Sequence, residues 1–326
     1  MLNPEHILKG AAFVDLFAGI GAFRLALESF GAKCVFSSEW DKDAQDVYEL
    51  NFGDRPKGDI TKIPAAEIPH HDILCAGFPC QPFSISGKQL GFQDTRGTLF
   101  FDVARIAKYH RPRVILLENV KNFVSHDSGR TLTTVISVLD SLGYDIYYDI
   151  YNAAEYGIPQ KRERIFIVCF RKDLKVKDFR KPPPVELTIH LEDVLLSDEE
   201  TSEYVINRND VKLKETLKEH SDKPIRIGTV NKGGQGERIY SPKGTAITLS
   251  ASGGGAGART GLYLINGKVR RLAPRECARL QGFPDSYILA ARKNVAYKQL
   301  GNSIAVDVIQ HIILEIQKEA GLTFKT

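Results

Sequence analysis

Short apolar runs, each followed by a stretch with helical spacing, recur along the first half of the chain, and this alternation most constrains what it can fold into. Phe13-Val14-Asp15-Leu16 reads as a strand, and Phe23 to Phe30 as a helix ended by Gly31. Cys34 to Ser37 is a second strand, and Asp41 to Asn51 a second helix opened by an acidic cap. Ile73 to Ala76 and Arg113 to Leu117 are buried strands, Thr98 to His110 and Thr131 to Leu142 helices, and Arg164 to Phe170 a further strand. Such alternation predicts an α/β fold with a doubly wound, mostly parallel sheet that receives ligands at the carboxyl ends of its strands.

Lys181-Pro182-Pro183-Pro184 ends this regular region. Beyond it the pattern changes to short strands and glycine turns: Ala246 to Leu249, then Gly261 to Ile265 with an Asn266-Gly267 hairpin signal. Helical character returns at Pro274 to Leu280 and in a last helix from about Ser303 to Ala320. The expected division is a catalytic and cofactor-binding domain over 1–190, a smaller β- and loop-rich recognition domain over 191–273, and a hinge with a returning helix over 274–326.

Five cysteines, Cys34, Cys75, Cys80, Cys169 and Cys277, lie scattered without metal-ligand spacing, which argues against a zinc site and a disulfide framework and for a reducing, cytoplasmic setting. The N-terminal residues lack the pattern of a signal peptide, and no stretch has the length of a membrane span. A net charge of +4 decides little, but its distribution is informative. Residues 186–221 hold ten acidic against four basic side chains, whereas 222–275 hold two against ten and are rich in glycine. Basic glycine loops suit close approach of backbone to phosphate, although a charge run alone is more often a solvated loop.

Three clusters carry chemistry. Asp15-Leu16-Phe17-Ala18-Gly19-Ile20-Gly21 links the first strand to its helix, with glycines that let backbone N–H groups approach a ligand. Glu39, twenty residues beyond Gly19, stands where nucleotide-binding sheets place an acid for a ribose diol. Trp40 is positioned to stack on adenine or to pack between helix and sheet, and Asp59 is placed for the adenine amino group. With no Walker lysine and no dinucleotide fingerprint, the loop suits a nucleoside cofactor lacking a pyrophosphate. Cys80 follows Pro79 at the end of an apolar run, where a thiolate nucleophile is useful and a packing cysteine is not. Glu118, after the strand 113–117, reads as an acid at a ring edge or, without Cys80, as a cap or ion-pair partner. Arg162 and Arg164 alternate at the start of a strand, which puts both on one side, where arginine pairs are more often surface ion pairs.

Taken in this order, the glycine loop, Gly77-Phe78-Pro79-Cys80, Glu118-Asn119-Val120 and Gln160-Lys161-Arg162-Glu163-Arg164 resemble the cytosine-C5 DNA methyltransferases nearly end to end. The resemblance implies S-adenosylmethionine as cofactor, held by Phe17, Gly19, Gly21, Glu39, Trp40, Asp59, Ile60, Pro79, Asn302 and Ser303, with Asn302 capping the last helix. It implies that the Cys80 thiolate adds to carbon 6 of a flipped-out cytosine, that Glu118, protonated at that moment, serves N3, and that Arg162 and Arg164 hold O2 and a phosphate. Proton loss from carbon 5 falls to water.

The stretch 233–250 narrows the resemblance to bacterial enzymes that methylate the inner cytosine of GCGC. By that likeness Ser86 and Gln235 fill the vacated stack, Arg238 reads guanine and Thr248 contacts DNA. The implied partner is double-stranded DNA, met by a monomer without metal or membrane, with a restriction endonuclease only as a genetic neighbour. Two departures are visible: Ala22 stands where the family has glycine, and Ser252 where the close relatives carry an aromatic residue. A tRNA cytosine methyltransferase and a catalytically silent DNA binder are the alternatives, and the basic insertion at 222–273 favours duplex DNA.

Overall fold

Ala12–Leu16 forms strand β1, Ala22–Ser29 helix α1, Lys33–Ser38 β2, Lys42–Phe52 α2, Ile73–Ala76 β3, Leu99–His110 α3, Val114–Val120 β4, Arg130–Ser141 α4, Tyr144–Asn152 β5 and Glu163–Arg171 β6 in the computed structural model, which describes residues 6–79, 99–214 and 219–324. Two units are distinguished. The first holds the chain through Tyr151, Arg164–Pro182 and the segment from Gln310; the second holds Asn152–Glu163 and Pro183–Ile309.

The first unit is built on a six-stranded sheet ordered β2-β1-β3-β4-β6-β5. β1 pairs in parallel with β2 and β3, and β3 with β4, whereas β6 runs antiparallel to β4. Strand order reverses at β1, so the crevice for a ligand opens beyond the carboxyl ends of β1 and β3. Val14, Leu16, Leu74, Ile115, Leu117, Ile165 and Ile167 are fully buried in one core cluster. Each contributes about 1.5–3 kcal/mol of burial energy relative to exposure. Helix ends follow local chemistry. The Asp41 carboxylate accepts the Asp43 N–H at 3.0 Å, and Gly53, at φ 77°, closes α2. Gly21, at φ 83°, precedes α1, and a methyl there would fall on the Phe52 ring. The departure at Ala22 is harmless because it is the first residue of α1, where alanine favours helix.

The second unit has Lys212–Leu213 (β7), Ile225–Thr229 (β8), Arg238–Ser241 (β9), Leu262–Ile265 (β10) and Lys268–Arg270 (β11), ordered β11-β10-β9-β8-β7, followed by helices α5 (Pro274–Arg279) and α6 (Lys293–Asn302). Asn266 and Gly267, at φ 49° and 76°, make the expected turn between β10 and β11. Inside this unit the Arg270 guanidinium meets Glu276 at 2.7 and 2.8 Å, with both side chains essentially without exposure. Glu276 also accepts the Ala273 and Leu196 N–H groups, so its buried carboxylate is matched by a cation and by backbone donors.

Three expectations are corrected. Ala246 to Leu249 is not a strand: only Ala246 bridges to Gln160, and side chains rather than a ladder satisfy the rest. Asn302 ends α6 instead of opening the last helix, and α7 begins at Val306 and runs to Ala320. β5 was not expected, because its mixed tyrosine and aspartate sequence, half exposed at the sheet edge, lacks an apolar run.

His71, just before β3, is fully buried, its Nδ1 2.8 Å from the Pro69 carbonyl and its ring 4.8 Å from that of His110. Burial chiefly, with the neighbouring His110 and His70, holds it near a pKa of about 4, against an ordinary 6.5. Neutral His71 is thus favoured by the folded state, so its contribution is complete above pH 6.5 and disappears as pH falls toward 4. The integrated effect is on the order of 3 kcal/mol. Urea unfolding between pH 7.5 and 4.5 is expected to show this loss in the wild type and a flatter profile in His71→Phe. A difference between the two proteins that does not vary with pH would assign the acid sensitivity elsewhere.

Candidate active site

The glycine loop leaves β1 with two successive departures from ordinary backbone: Phe17 at φ 57° and Gly19 at φ 55°. Gly19 has open space where a side chain would stand. Glu39, at the end of β2, stabilises this shape. Its carboxylate accepts the Gly19 N–H at 2.9 Å and the Asp41 N–H at 2.8 Å, and the Gln45 amide donates to the Glu39 carbonyl. Burial pushes the Glu39 pKa upward, and the Asp41 and Gly19 N–H groups oppose that shift. One carboxylate therefore ties the loop after β1 to the start of α2. A carboxylate has about four acceptor positions, so capacity remains for a vicinal diol. Trp40, the next residue, is 78% exposed, which removes the packing reading and leaves the indole face available for stacking. Asp59 caps the short helical turn Ile60–Lys62 by accepting the Thr61 N–H and hydroxyl on Oδ1, and Ile60 is buried. An acceptor for a diol, an open stacking face and a loop with room at Gly19 fit the nucleoside part of S-adenosylmethionine.

Asp15, one turn deeper on β1, is fully buried with neither carboxylate oxygen hydrogen-bonded, and burial raises its pKa well above the ordinary range. Behind the loop, Arg24 packs over the Tyr48 and Phe52 rings and pairs with Glu28 and Asp54 at 2.8 and 2.6 Å.

β3 ends at Ala76 and leads through Gly77 and Phe78 to Pro79. Phe78 is buried between Phe100 and Phe123, and its carbonyl accepts the Asn119 side-chain amide at 2.8 Å. The residue before Pro79 is thus held by the residue after Glu118. Sequence reading quoted Asn119 but gave it no task; its place beside Glu118 at a strand's carboxyl end was the available signal. Cys80 and Ser86 lie outside the described residues. Burial disfavours the thiolate form of the other four cysteines. Burial pushes the Cys34 thiol up to about 12, and raises Cys75, Cys169 and Cys277 as well.

Glu118 lies within β4, which continues to Val120, and is 3.1 Å from the Arg164 Nε. Register explains the encounter: Glu118 faces Phe166, and Val120 faces Arg164, across the antiparallel pair. Arg162 does something else. It precedes β6, is 2% exposed, and its guanidinium donates to the backbone carbonyls of Leu249 (3.1 Å), Gly301 (2.9 Å) and Ser303. The two arginines expected on one side thus differ in their partners: Arg164 pairs with Glu118, whereas Arg162 donates to backbone carbonyls.

In the second unit Gln235 is exposed at the head of a short turn, Gln235–Glu237, and Arg238 is half-buried as the first residue of β9. Gly236 meets the backbone of Gly254 so closely that a side chain would collide, and its carbonyl accepts the Gly257 N–H at 2.7 Å. Thr248 is exposed and donates its hydroxyl to the Lys161 carbonyl at 2.5 Å. Ser252 is exposed, and its carbonyl accepts the Ser250 hydroxyl. Asn302 is exposed and Ser303 buried, at the end of α6. Among the described residues no cluster of three His, Cys, Asp or Glu side chains is arranged to hold a metal ion.

Comparison with known proteins agrees with this geometry. The family model of C-5 cytosine-specific DNA methylases matches residues 11–318. The type II methyltransferase M.HhaI of Haemophilus parahaemolyticus is 56% identical over 98% of this chain and 97% of its own length. M.HpaII of Haemophilus parainfluenzae is 44% identical over 98% of this chain and 92% of its own. The crystal structure of S. pombe Dnmt2 methyltransferase superimposes with a TM-score of 0.71 at 20% identity, covering 94% of this chain and 98% of that one, a likeness of fold. The chain belongs to the C-5 cytosine-specific DNA methylase family, and it transfers a methyl group from S-adenosylmethionine to carbon 5 of cytosine in DNA.

Proposed function

We propose that this enzyme methylates the inner cytosine of GCGC in duplex DNA, as the modification half of a type II restriction-modification system working as a monomer in the cytoplasm. No helix among the described residues is long and apolar enough to cross a membrane. The observation that supports the chemistry is enclosure of the other cysteines: Cys75, Cys169 and Cys277 are buried in the core, and burial raises their thiols and that of Cys34, so the thiolate role is assigned to Cys80 of the Pro-Cys motif. Reactants buried in a stacked duplex are beyond its reach, so the target base leaves the helix.

In this reading the Cys80 sulfur forms a bond to carbon 6 and the ring gains electron density at carbon 5. Glu118 serves the N3 edge and Arg164, 3.1 Å from it, orients its carboxyl group and holds O2. Asn119 fixes the Phe78 carbonyl and with it the approach to Pro79-Cys80. Phe17, Gly19, Gly21, Glu39, Trp40, Asp59, Ile60 and Pro79 are assigned to S-adenosylmethionine, with Asn302 and Ser303 on the strength of the family resemblance. When bound, the cofactor supplies an electrophilic methyl group. Loss of the carbon 5 proton to water, followed by expulsion of the Cys80 thiolate, restores the ring and the enzyme.

Three tests follow from these assignments. Duplex DNA with 5-fluorocytosine at the target is expected to trap the wild type covalently, because fluorine cannot leave as a proton. Peptide mapping should place the adduct on Cys80, and an adduct on Cys75 would refute the mechanism. Cys80→Ser should abolish transfer while DNA affinity stays nearly the same.

Asn119→Ala removes one buried hydrogen bond and leaves the Phe78 carbonyl without it, a loss of about 1–3 kcal/mol. The expected result is slower adduct formation with unaltered S-adenosylmethionine affinity by calorimetry. Equal adduct rates in the variant and the wild type would show that the Phe78 anchor does not position the cysteine.

Recognition is assigned to Gln235 and Ser86, which occupy the vacated stack, to Arg238, which forks onto guanine N7 and O6, and to Thr248. Removing a bidentate guanine contact costs about 1–3 kcal/mol on the true site. Arg238→Ala is therefore expected to bind GCGC more weakly and to discriminate less at one base pair, measured on duplexes altered singly. Lys232→Ala or Lys243→Ala should weaken all sequences alike and flatten the salt dependence. Uniform loss across all duplexes in Arg238→Ala would make that arginine a backbone contact and remove support for GCGC.

A further inference from the structure

The second unit contains a junction in which four stretches distant in sequence meet around Gln160 and Arg162. Pro159 and Lys161 exchange backbone hydrogen bonds with Ala246 at 2.7 and 2.8 Å. The Gln160 side chain, with no exposure, accepts the Leu249 N–H at 3.1 Å and donates to the Leu280 carbonyl at 2.6 Å. Arg162 adds the Leu249 carbonyl on one side and the Gly301 and Ser303 carbonyls on the other. Gly301 lacks a side chain for a visible reason, since a methyl there would occupy the backbone of Ser250 and Ala251. Gln281 completes the arrangement by donating to the Leu300 carbonyl at 3.1 Å.

The stretch 246–250 is not a strand, yet it carries Thr248 on its exposed side. Its backbone is held by the side chains of Gln160 and Arg162 instead of by a neighbouring strand. A guanidinium has five N–H donors in a rigid plane, and this one reaches carbonyls on two separate stretches at once. Swinging the guanidinium out to hold a cytosine would break those bonds and expose the carbonyls they satisfy, so in the place it occupies its Nη donors serve the backbone.

We infer that Arg162 is a positioning residue for target recognition: it fixes the 246–250 stretch against the Gly301–Ser303 turn and does not itself touch the base. The assignment separates the two arginines of Gln160-Lys161-Arg162-Glu163-Arg164, leaving Arg164 with Glu118 at the reacting ring. It rests on the proposed reading of 246–250 as part of the DNA-recognition surface.

The test compares kcat/KM for three duplexes in Arg162→Ala, Arg162→Lys, Arg164→Ala and the full-length wild type. One is whichever duplex the wild type methylates best, one differs from it at a single recognised base pair, and one carries the target cytosine opposite an abasic site, where extrusion is easy. A wrong assignment of GCGC would show in the wild type alone and leave this comparison intact. For Arg162→Ala, discrimination between the first two duplexes is expected to fall about tenfold or more. The loss of kcat should be much smaller opposite the abasic site than on the matched duplex, and added guanidinium ion should restore part of the discrimination. Arg162→Lys, which keeps the charge and some of the carbonyl bonds, should show the same fall at smaller size, and decides the matter if the alanine variant does not fold. Arg164→Ala should lose kcat equally on all three duplexes with discrimination unchanged. The inference is overturned if either Arg162 variant loses kcat equally on all three duplexes while still discriminating like the wild type.

Discussion

A buried guanidinium is costly unless hydrogen bonds offset the loss of water, and in the second unit distant stretches of chain supply them to the Nη groups of Arg162. A cation placed inside a protein without partners costs several kcal/mol, so the surrounding backbone arranges carbonyl oxygens around it. Leu249, Gly301 and Ser303 supply them. The geometry in turn demands glycine at 301, places Gln160 where it can serve both Leu249 and Leu280, and removes any need for a strand at 246–249. The buried Arg270–Glu276 pair follows the same rule with a carboxylate in the place of carbonyls. Ile227, Val230, Ile239 and Leu262 form one apolar cluster of this unit, and hydrogen-bonded polar groups fix the junction around Arg162.

The first unit works the other way. The central strands β1, β3, β4 and β6 are buried on both faces, and the polar residues Glu39, Glu118 and Asn119 lie at strand ends. Polar groups gather there because elsewhere they would lack partners. Glu39 joins the loop after β1 to the start of α2, Asn119 holds the Phe78 carbonyl, and Glu118 meets Arg164 across an antiparallel register. The same burial that stabilises the sheet suppresses ionisation of the cysteines inside it. Packing thereby helps determine which cysteine is chemically useful.

Much of this was legible from residue order. Period and spacing located β1 to β4 and their helices, because apolar runs between acidic caps and glycine stops depend on neighbours in sequence. Glu39 and Trp40 were candidates by their distance from Gly19, and the bond from the Gly19 N–H to the Glu39 carboxylate needed the fold. The reading of Ala246 to Leu249 as a strand failed because four apolar or β-branched residues look alike whether a ladder or a pair of side chains holds them. Asn302 was misplaced for a related reason: the amphipathic signal of α6 is weak, so the turn after it was taken for the start of α7.

Residue types and their order by themselves determined an α/β sheet, an acidic residue at the end of its second strand, a cysteine set after proline and a basic glycine-rich insertion, since each depends on local propensity or on chemistry present in a short stretch. Tertiary structure alone decided which of two arginines, two residues apart, meets Glu118. Alternation along a strand predicts a shared side only when both residues belong to the strand. Arg162 lies just before β6 and finds its partners 87 to 141 residues away, whereas Arg164 lies within it and meets Glu118 through strand register.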